Sequence, residues 1–165
     1  MRRSLIALGA NIAGPHGAPA QAVESALRAL DSFETRLVAR SRFYRSPAWP
    51  NPDDPEFINV VAAVDTSLSP SDLLANLHGL EVKFGRERRA ANAPRTLDLD
   101  ILDYGGQISA PGETPILPHP RMQGRAFVLL PLAEIVPDWR HPVTGATIAD
   151  LIAALPASPS AWPVA

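Results

Sequence analysis

Cysteine is absent from this sequence of 165 residues, and its absence excludes several kinds of chemistry. A chain without cysteine forms no disulfide, supplies no thiolate to a metal and has no cysteine nucleophile. The lack of disulfides fits a cytoplasmic protein. Apolar runs long enough to cross a bilayer are also missing, so we expect no membrane association. The apolar run over residues 4–9 is too short for a signal peptide and predicts a buried strand.

Several common functional motifs are missing as well. The sequence contains neither the phosphate-binding loop of P-loop enzymes nor the glycine-rich fingerprint of dinucleotide-binding folds. It has no Gly-x-Ser-x-Gly nucleophile motif and no pair of histidines at metal-binding spacing. The net charge is −2, which argues against non-specific nucleic-acid binding. Ordinary P-loop kinases and dinucleotide enzymes are therefore disfavoured.

The remaining composition predicts one globular α/β (α+β) domain over residues 1–165. Apolar residues make up 46% of the chain and charged residues 19%, which is typical of a folded protein. Hydrophobic patterns predict the order strand, helix, strand, strand, helix, strand, which is typical of a ferredoxin-like βαββαβ sandwich. Extra helices and strands follow, and the tail over 157–165 is expected to be loose. The predicted ranges are 4–9 (strand), from 19 (helix), 36–45 (strand), 57–66 (strand), 70–84 (helix), 97–104 (strand), 126–135 (short helix or strand) and 147–155 (helix).

The strand predicted over 97–104 carries two carboxylates, Asp98 and Asp100, on one face. Side chains alternate across a strand, so Leu97, Leu99 and Ile101 point to the opposite face. Such a pair by itself is typical of a solvated strand face. Placed beside cations, the same pair is also what a Mg²⁺ ion and a polyphosphate require.

Arginines concentrate just before this strand, where residues 83–95 contain five basic side chains and a single acid. Arg86, Arg88 and Arg95 are members of this group. A basic loop can be no more than a solvated surface, but guanidinium groups also pair two phosphate oxygens at once. After the strand, His119 and Arg125 add an imidazole and a further guanidinium.

Two further pairs are candidates for binding. His78 and Glu81 are three residues apart on the predicted helix and are therefore surface neighbours, although an ordinary polar flank would look the same. Phe57 and Asn59 share one strand face. An aromatic ring beside a carboxamide can bind a flat heterocycle, but the same pattern fits a second buried layer under a helix.

Taken together, six segments in chain order resemble the 6-hydroxymethyl-7,8-dihydropterin pyrophosphokinase family of folate synthesis. The resemblance covers roughly residues 4–138, and its most specific part is Pro-Arg-Thr-Leu-Asp-Leu-Asp. The segments are Leu8-Gly9-Ala10-Asn11, Phe43-Tyr44-Arg45-Ser46-Pro47, Phe57-Ile58-Asn59, Phe84-Gly85-Arg86, the stretch 93–102, and Pro118-His119-Pro120-Arg121-Met122 with Arg125-Ala126-Phe127-Val128-Leu129.

The resemblance implies transfer of pyrophosphate from ATP to the pterin hydroxymethyl group, with AMP as the second product. It implies a cytoplasmic monomer that binds two small molecules and neither nucleic acid nor membrane. Asp98 and Asp100 would hold two Mg²⁺ ions, and Arg86 and Arg95 would act beside them in catalysis. The implied ATP contacts are His78, Glu81, Arg88, Arg95, Ile101, His119 and Arg125, and the implied pterin contacts are Ser46, Pro47, Trp49, Phe57, Asn59 and Phe127.

Two other functions remain open at this point. A ferredoxin-like module that binds a ligand or RNA would explain the fold and the arginines, but two carboxylates repel a phosphate backbone unless a metal intervenes. A different Mg²⁺-dependent nucleotidyl or phosphoryl enzyme would explain the carboxylates equally well. Binding of a pterin together with Mg²⁺ and an ATP analogue would distinguish among the three.

Overall fold

The computed structural model describes residues 1–87, 91, 93–157 and 160–164, which form an antiparallel sheet and four helices. The strands are β1 (Arg2–Ala10), β2 (Thr35–Arg40), β3 (Tyr44–Ser46), β4 (Phe57–Thr66), β5 (Asp98–Tyr104) and β6 (Trp162–Pro163). The helices are α1 (Pro19–Leu30), α2 (Pro70–Lys83), α3 (Ala126–Ile135), which follows a 3₁₀ turn at Met122–Gly124, and α4 (Ile148–Ala153). The mixed α/β class is thereby confirmed.

The order of the strands across the sheet is β5–β1–β4–β3–β6, and β2 also pairs with β4. Every pairing is antiparallel. The long strand β4 accommodates two partners on one edge, because β3 pairs with its first residues and β2 with its last. This arrangement brings the C-terminal ends of β1 and β3 beside the N-terminal ends of β4 and β5.

The prediction of a single strand over 36–45 is wrong, because this segment forms two separate strands, β2 and β3. Ser41, between the two strands, donates its backbone N–H to the Val61 carbonyl at 2.9 Å. Its hydroxyl accepts the N–H of the same Val61 at 3.1 Å, which replaces a regular backbone partner. The register of β2 also shifts between Leu37 and Ala39. These irregularities interrupt the ladder that the alternation of residues predicted.

Both faces of the sheet are buried. On one face Val60, Ala62 and Val64 of β4 belong to a core with α1 and α2. On the other face Val61 and Ala63 belong to a second core with α3 and α4. The second buried layer considered for β4 is therefore present along most of the strand. It leaves Phe57 and Asn59, nearer the start of β4, outside both cores.

The ends of α2 follow the local signals in the sequence. Ser69 caps the helix, since its hydroxyl accepts the Asp72 N–H at 3.2 Å. Gly85 follows the last turn with φ of +81°, a left-handed conformation that glycine adopts at little cost. A Cβ on Gly85 would also lie only 2.6 Å from the Pro15 ring. The chain therefore turns sharply here and directs the next residue, Arg86, toward β5.

Residues 160–164 differ from the loose tail that was expected. Trp162 and Pro163 pair with Arg45 and Tyr44 of β3, and Ala161 is only 3% exposed. The edge of β3 offers unpaired backbone groups, and the tail covers them. The segment over 126–135, for which a helix and a strand were both considered, is helix α3, and the helix expected over 147–155 is α4.

Among the residues that the structure describes, no helix combines the length and the apolar character needed to span a membrane.

Candidate active site

One row of side chains crosses the sheet from β5 to β3 and forms the base of the site. The antiparallel register places Gly9 of β1 between Asp98 of β5 and Asn59 of β4, and Tyr44 of β3 lies beyond Asn59. In a second row across the same strands, two residues away, Ala7 of β1 lies opposite Asp100 of β5. Since Gly9 and Ala7 are small, they leave open space between the carboxylates and Asn59.

The alternation predicted for β5 is confirmed. Leu97, just before the strand, and Leu99 and Ile101 within it lie in the core beneath α1 and α2. Asp98 and Asp100 lie on the opposite face and border a cavity. The strand therefore presents two carboxylates on one side while its apolar side chains hold it in the core.

Asp98 forms ion pairs with two arginines that precede it in the chain. Arg86 Nη1 donates to Asp98 Oδ1 at 2.8 Å, and Arg95 Nη1 donates to Asp98 Oδ2 at 2.8 Å. All three side chains are partly buried, with exposed fractions of 21%, 22% and 28% for Arg86, Asp98 and Arg95. Limited contact with water strengthens such charge-assisted bonds. The two guanidinium groups are thus held within reach of any group that Asp98 binds.

Glu81 anchors Arg86 from the helix side. Its buried carboxylate accepts the Leu99 N–H at 2.8 Å and also accepts a hydrogen bond from Arg86 Nη1. Burial raises the pKa of Glu81, while the bonds from Leu99 and Arg86 act in the opposite direction. The ATP contact implied for Glu81 stays a prediction, and the contacts observed are with the protein's own β5 and Arg86.

Asp100 has looser partners than Asp98. His119 Nε2 lies 3.7 Å and Arg125 Nη1 lies 3.9 Å from Asp100 Oδ2. Burial and, next, the charge of Asp98 raise the pKa of the Asp100 carboxyl. Burial also lowers the pKa of His119, which favours its neutral form. A negative charge on Asp100 is therefore only partly compensated by the protein, and a cation would stabilise it.

The carboxylates of Asp98 and Asp100 fit a hard divalent cation that also binds ligands from outside the protein. Among the described residues, no group of three or more histidine, aspartate or glutamate side chains could enclose a metal by itself. Mg²⁺ commonly binds one or two carboxylates together with phosphate oxygens and water. Asp98 and Asp100, two carboxylates on one strand face that repel each other, meet that requirement.

A cavity of about 430 Å³ extends from these carboxylates to an aromatic end. Arg95, Asp98, Asp100 and Arg125 line its charged part. All six residues implied as pterin contacts also line it, namely Ser46, Pro47, Trp49, Phe57, Asn59 and Phe127. One cavity therefore joins a charged region to an apolar slot with a few polar groups, which is a common composition of small-molecule sites.

Asn59 is held in one orientation at the base of the slot. It is 5% exposed, and its Nδ2 donates to the Ser46 hydroxyl at 2.8 Å. A Cβ built on Gly9 would lie 3.1 Å from Asn59 Oδ1 and 3.6 Å from the Phe57 ring. The Arg125 guanidinium carbon lies 5.5 Å from the centre of the Phe127 ring, which links the charged and aromatic parts.

The other described candidates do not line the cavity. Arg86 and His119 contact the carboxylates from outside it. His78 is half-buried on α2, and the Ile101 side chain is in the core, so any ATP contact of Ile101 would have to use its backbone. Arg88 lies outside the described residues.

Sequence reasoning assigned no role to Asn11, which positions Arg95. Asn11 Oδ1 accepts the Arg95 N–H at 2.7 Å, and Asn11 Nδ2 donates to the Pro55 carbonyl at 3.0 Å. The Arg95 carbonyl in turn accepts the Asn11 N–H at 3.0 Å. Gly9 and Asn11 both belong to the Leu-Gly-Ala-Asn segment, so the family resemblance was the signal that could have identified them.

Comparisons with known proteins agree with this geometry. Residues 5–137 match the family model described as 7,8-dihydro-6-hydroxymethylpterin-pyrophosphokinase (HPPK). The chain is 45% identical over 159 residues to 2-amino-4-hydroxy-6-hydroxymethyldihydropteridine pyrophosphokinase of Pseudomonas aeruginosa, covering 94% of this chain and 93% of the relative. It is 42% identical over 162 residues to the protein of the same name from Synechocystis sp., covering 98% of this chain and 80% of the relative.

A solved structure supports the fold. The chain is similar to a triple mutant of Plasmodium falciparum HPPK-DHPS with a TM-score of 0.69 at 14% sequence identity. The match covers 91% of this chain and 41% of that longer chain. At this level of identity the similarity concerns the backbone arrangement alone.

We expect Asn11→Ala to lower the free energy of unfolding by about 2 kcal/mol, because two backbone groups lose a buried partner. Urea denaturation followed by circular dichroism measures the change. Asn51→Ala is the control, since Asn51 is an exposed loop residue that bonds only to its neighbours Asp53 and Asp54. Equal stability of the two variants would contradict the role assigned to Asn11.

Proposed function

Since the chain belongs to the 7,8-dihydro-6-hydroxymethylpterin-pyrophosphokinase family, we propose that its cavity binds ATP and the hydroxymethyl dihydropterin side by side. The enzyme transfers pyrophosphate from ATP to the pterin hydroxymethyl oxygen in folate biosynthesis. The observation that carries this assignment is the single cavity with two carboxylates and arginines in one part and an aromatic slot in the other.

The aromatic part has the composition needed for a flat, polar heterocycle. Phe57 from β4 and Phe127 from α3 line the slot and would stack on the two faces of the pterin ring. Asn59 is oriented at the base by one N–H that donates to Ser46, and its carboxamide oxygen and second N–H can pair with the polar edge of the heterocycle. Ser46, Pro47 and Trp49 complete the proposed pterin contacts.

The charged part is suited to the triphosphate. Arg86 and Arg95 are held at Asp98, and Arg125 lies between Asp100 and the Phe127 ring. Guanidinium groups held in this way lose little further entropy when they bind phosphate oxygens. We assign Arg86 and Arg95 to stabilising the charge on the transferred group. The implied contacts of His78, Glu81, Arg88, Ile101, His119 and Arg125 with ATP are part of the same proposal.

Asp98 and Asp100 would hold Mg²⁺, and we propose two ions. Bound Mg²⁺ supplies charge neutralisation of the polyphosphate. The support comes from the protein alone: two carboxylates lie on one strand face, and the charge of Asp98 contributes to the raised pKa of Asp100.

The reaction requires the hydroxymethyl oxygen to attack the β-phosphorus of ATP while the bond to the α-phosphate oxygen breaks and AMP leaves. Phosphoryl transfer depends mainly on positioning and on charge stabilisation, so no protein base needs to be assigned. The slot fixes the pterin and the arginines fix the phosphates. Because both regions belong to one cavity, the attacking oxygen and the β-phosphorus can be brought together and shielded from water.

The finer features of the fold and assembly belong to the same proposal. Two observations support a ferredoxin-like core to which α3, α4 and β6 are added. Along the chain the elements follow the order β1, α1, β2 with β3, β4, α2, β5, and across the sheet the neighbours are β5–β1–β4–β3. A monomeric state is part of the same proposal. The need for ATP supports action in the cytoplasm.

Incubation with ATP, Mg²⁺ and 6-hydroxymethyl-7,8-dihydropterin should yield AMP and the pterin diphosphate in equal amounts. Chromatography of the nucleotides distinguishes AMP from ADP. Formation of ADP would contradict pyrophosphoryl transfer and favour an ordinary kinase. Absence of any pterin-dependent nucleotide product would instead favour a binding module or a different Mg²⁺ enzyme.

Replacement of Asp98 or Asp100 by asparagine should reduce kcat by a factor on the order of 10² or more, because a proposed ligand of the Mg²⁺ that neutralises the phosphates is lost. Steady-state assays at saturating Mg²⁺ measure the effect. Asp65→Asn is the matched control, since Asp65 is also a strand aspartate but pairs with Arg3 at the far end of the sheet. Near-normal kcat in either site variant would refute the proposed metal ligands.

Phe57→Ala should raise the KM for the pterin about 10- to 100-fold, since stacking of an aromatic ring on a heterocyclic base contributes about 1–3 kcal/mol. The KM for ATP should change little. Phe33→Ala serves as the control, because Phe33 is 97% exposed and does not line the cavity. A rise in the KM for ATP instead of that for the pterin would place the aromatic end of the cavity at the nucleotide.

A further inference from the structure

Residues 160–164, here called the clasp, form an added edge beside the aromatic end of the cavity. Trp162 and Pro163 of the clasp pair with β3. Val164 adds a third link, because its N–H donates to the Phe43 carbonyl at 2.8 Å. The clasp is thus bonded along the strand that leads directly to Ser46 and the proposed pterin contacts.

Ala161 anchors the clasp between the sheet and α3. It is 3% exposed and belongs to a small buried cluster with Tyr44 of β3 and Ala126 of α3. Phe127, one of the proposed stacking residues, packs against the same cluster. The clasp therefore contacts β3, which ends at Ser46, and α3, which supplies Phe127.

Ser160, immediately before Ala161, lines the cavity. The strand order shows that the clasp lies at the end of the cavity away from the carboxylates. The row from Asp98 through Gly9, Asn59 and Tyr44 ends at Pro163 of β6. Four strand spacings of about 4.8 Å separate its ends, so the clasp lies roughly 19 Å from the β5 strand that carries the carboxylates.

We propose that Ser160 contacts the pterin ring and limits the size of heterocycle that the slot accepts, while Ala161–Val164 hold Ser160 in place. This inference rests on the proposed function, since it assigns a further residue to the pterin end of the same cavity. Ser160 is a specificity-determining residue, and Val164 is a positioning residue that acts through it.

The size of the side chain at position 160 provides the first test. Binding of 6-hydroxymethylpterin is measured by calorimetry in the presence of Mg²⁺ and a non-hydrolysable ATP analogue. Ser160→Phe should weaken pterin binding about tenfold or more, because the ring occupies substrate space. Binding of the ATP analogue alone should stay within about twofold. Ala157→Phe, which adds the same ring at an exposed position that does not line the cavity, should bind the pterin as the unaltered protein does.

Val164 provides a second test that does not depend on filling the cavity. Val164→Pro removes the N–H that donates to Phe43, whereas Val164→Ala keeps it. The proline variant should bind the pterin about three- to tenfold more weakly than the alanine variant, with an unchanged affinity for the ATP analogue.

The outcomes separate this inference from the function on which it rests. If the unaltered protein binds no pterin in the presence of Mg²⁺ and the ATP analogue, the proposed function fails. If it binds the pterin but Ser160→Phe binds equally well, the role of Ser160 is overturned. Equal pterin binding by the proline and alanine variants of Val164 overturns the role of the clasp. Weakened binding of both substrates in Ser160→Phe also overturns the assignment to the pterin end.

Discussion

The site depends on a gap in the packing of the sheet, which is otherwise buried on both faces. Beneath α1 and α2 one face of β4 is filled by valine and alanine side chains, and beneath α3 and α4 the other face is filled as far as Val61. At the next row Gly9 contributes no side chain between Asp98 and Asn59. Since protein interiors are otherwise close-packed, this missing volume becomes the floor of the cavity.

The charged end of the cavity depends on mutual compensation between acids and arginines. Asp98 pairs with the guanidinium of Arg86, which Glu81 holds at the end of α2. It also pairs with that of Arg95, whose backbone Asn11 holds just after β1. Removing one partner of a partly buried ion pair leaves an uncompensated charge, which is costly. The groups that compensate one another here are therefore the ones proposed to contact the phosphates and Mg²⁺.

The aromatic end is assembled from parts that are distant in sequence. Phe57 belongs to β4, Phe127 to α3 and Ser160 to the clasp, and they meet because α3 and β6 both pack against β3. Glu134 contributes to this joint, since it accepts the Arg42 N–H at 2.9 Å and also a hydrogen bond from the Tyr44 hydroxyl. The slot is therefore built from three elements that are held together by contacts between distant parts of the chain.

Local rules were sufficient where a signal is contained within a few residues. The alternation in β5 is as predicted, and the Ser69 cap and the Gly85 turn of α2 follow from the backbone preferences of single residues. The break between β2 and β3 was missed because it depends on a hydrogen bond between the Ser41 hydroxyl and Val61, twenty positions away. The ordered clasp was missed for a similar reason: a short tail with two prolines carries no strand period of its own.

The sequence by itself determined the placement of two carboxylates on one strand face, because side-chain alternation in a strand is a local geometric property. Through its motifs it also indicated the family and most of the residues that line the cavity. Only the tertiary structure decided which partners those residues meet. Glu81 contacts Leu99 and Arg86, and Ser160 lines the cavity, because pairing across strands and packing of α3 bring together residues that no local pattern connects.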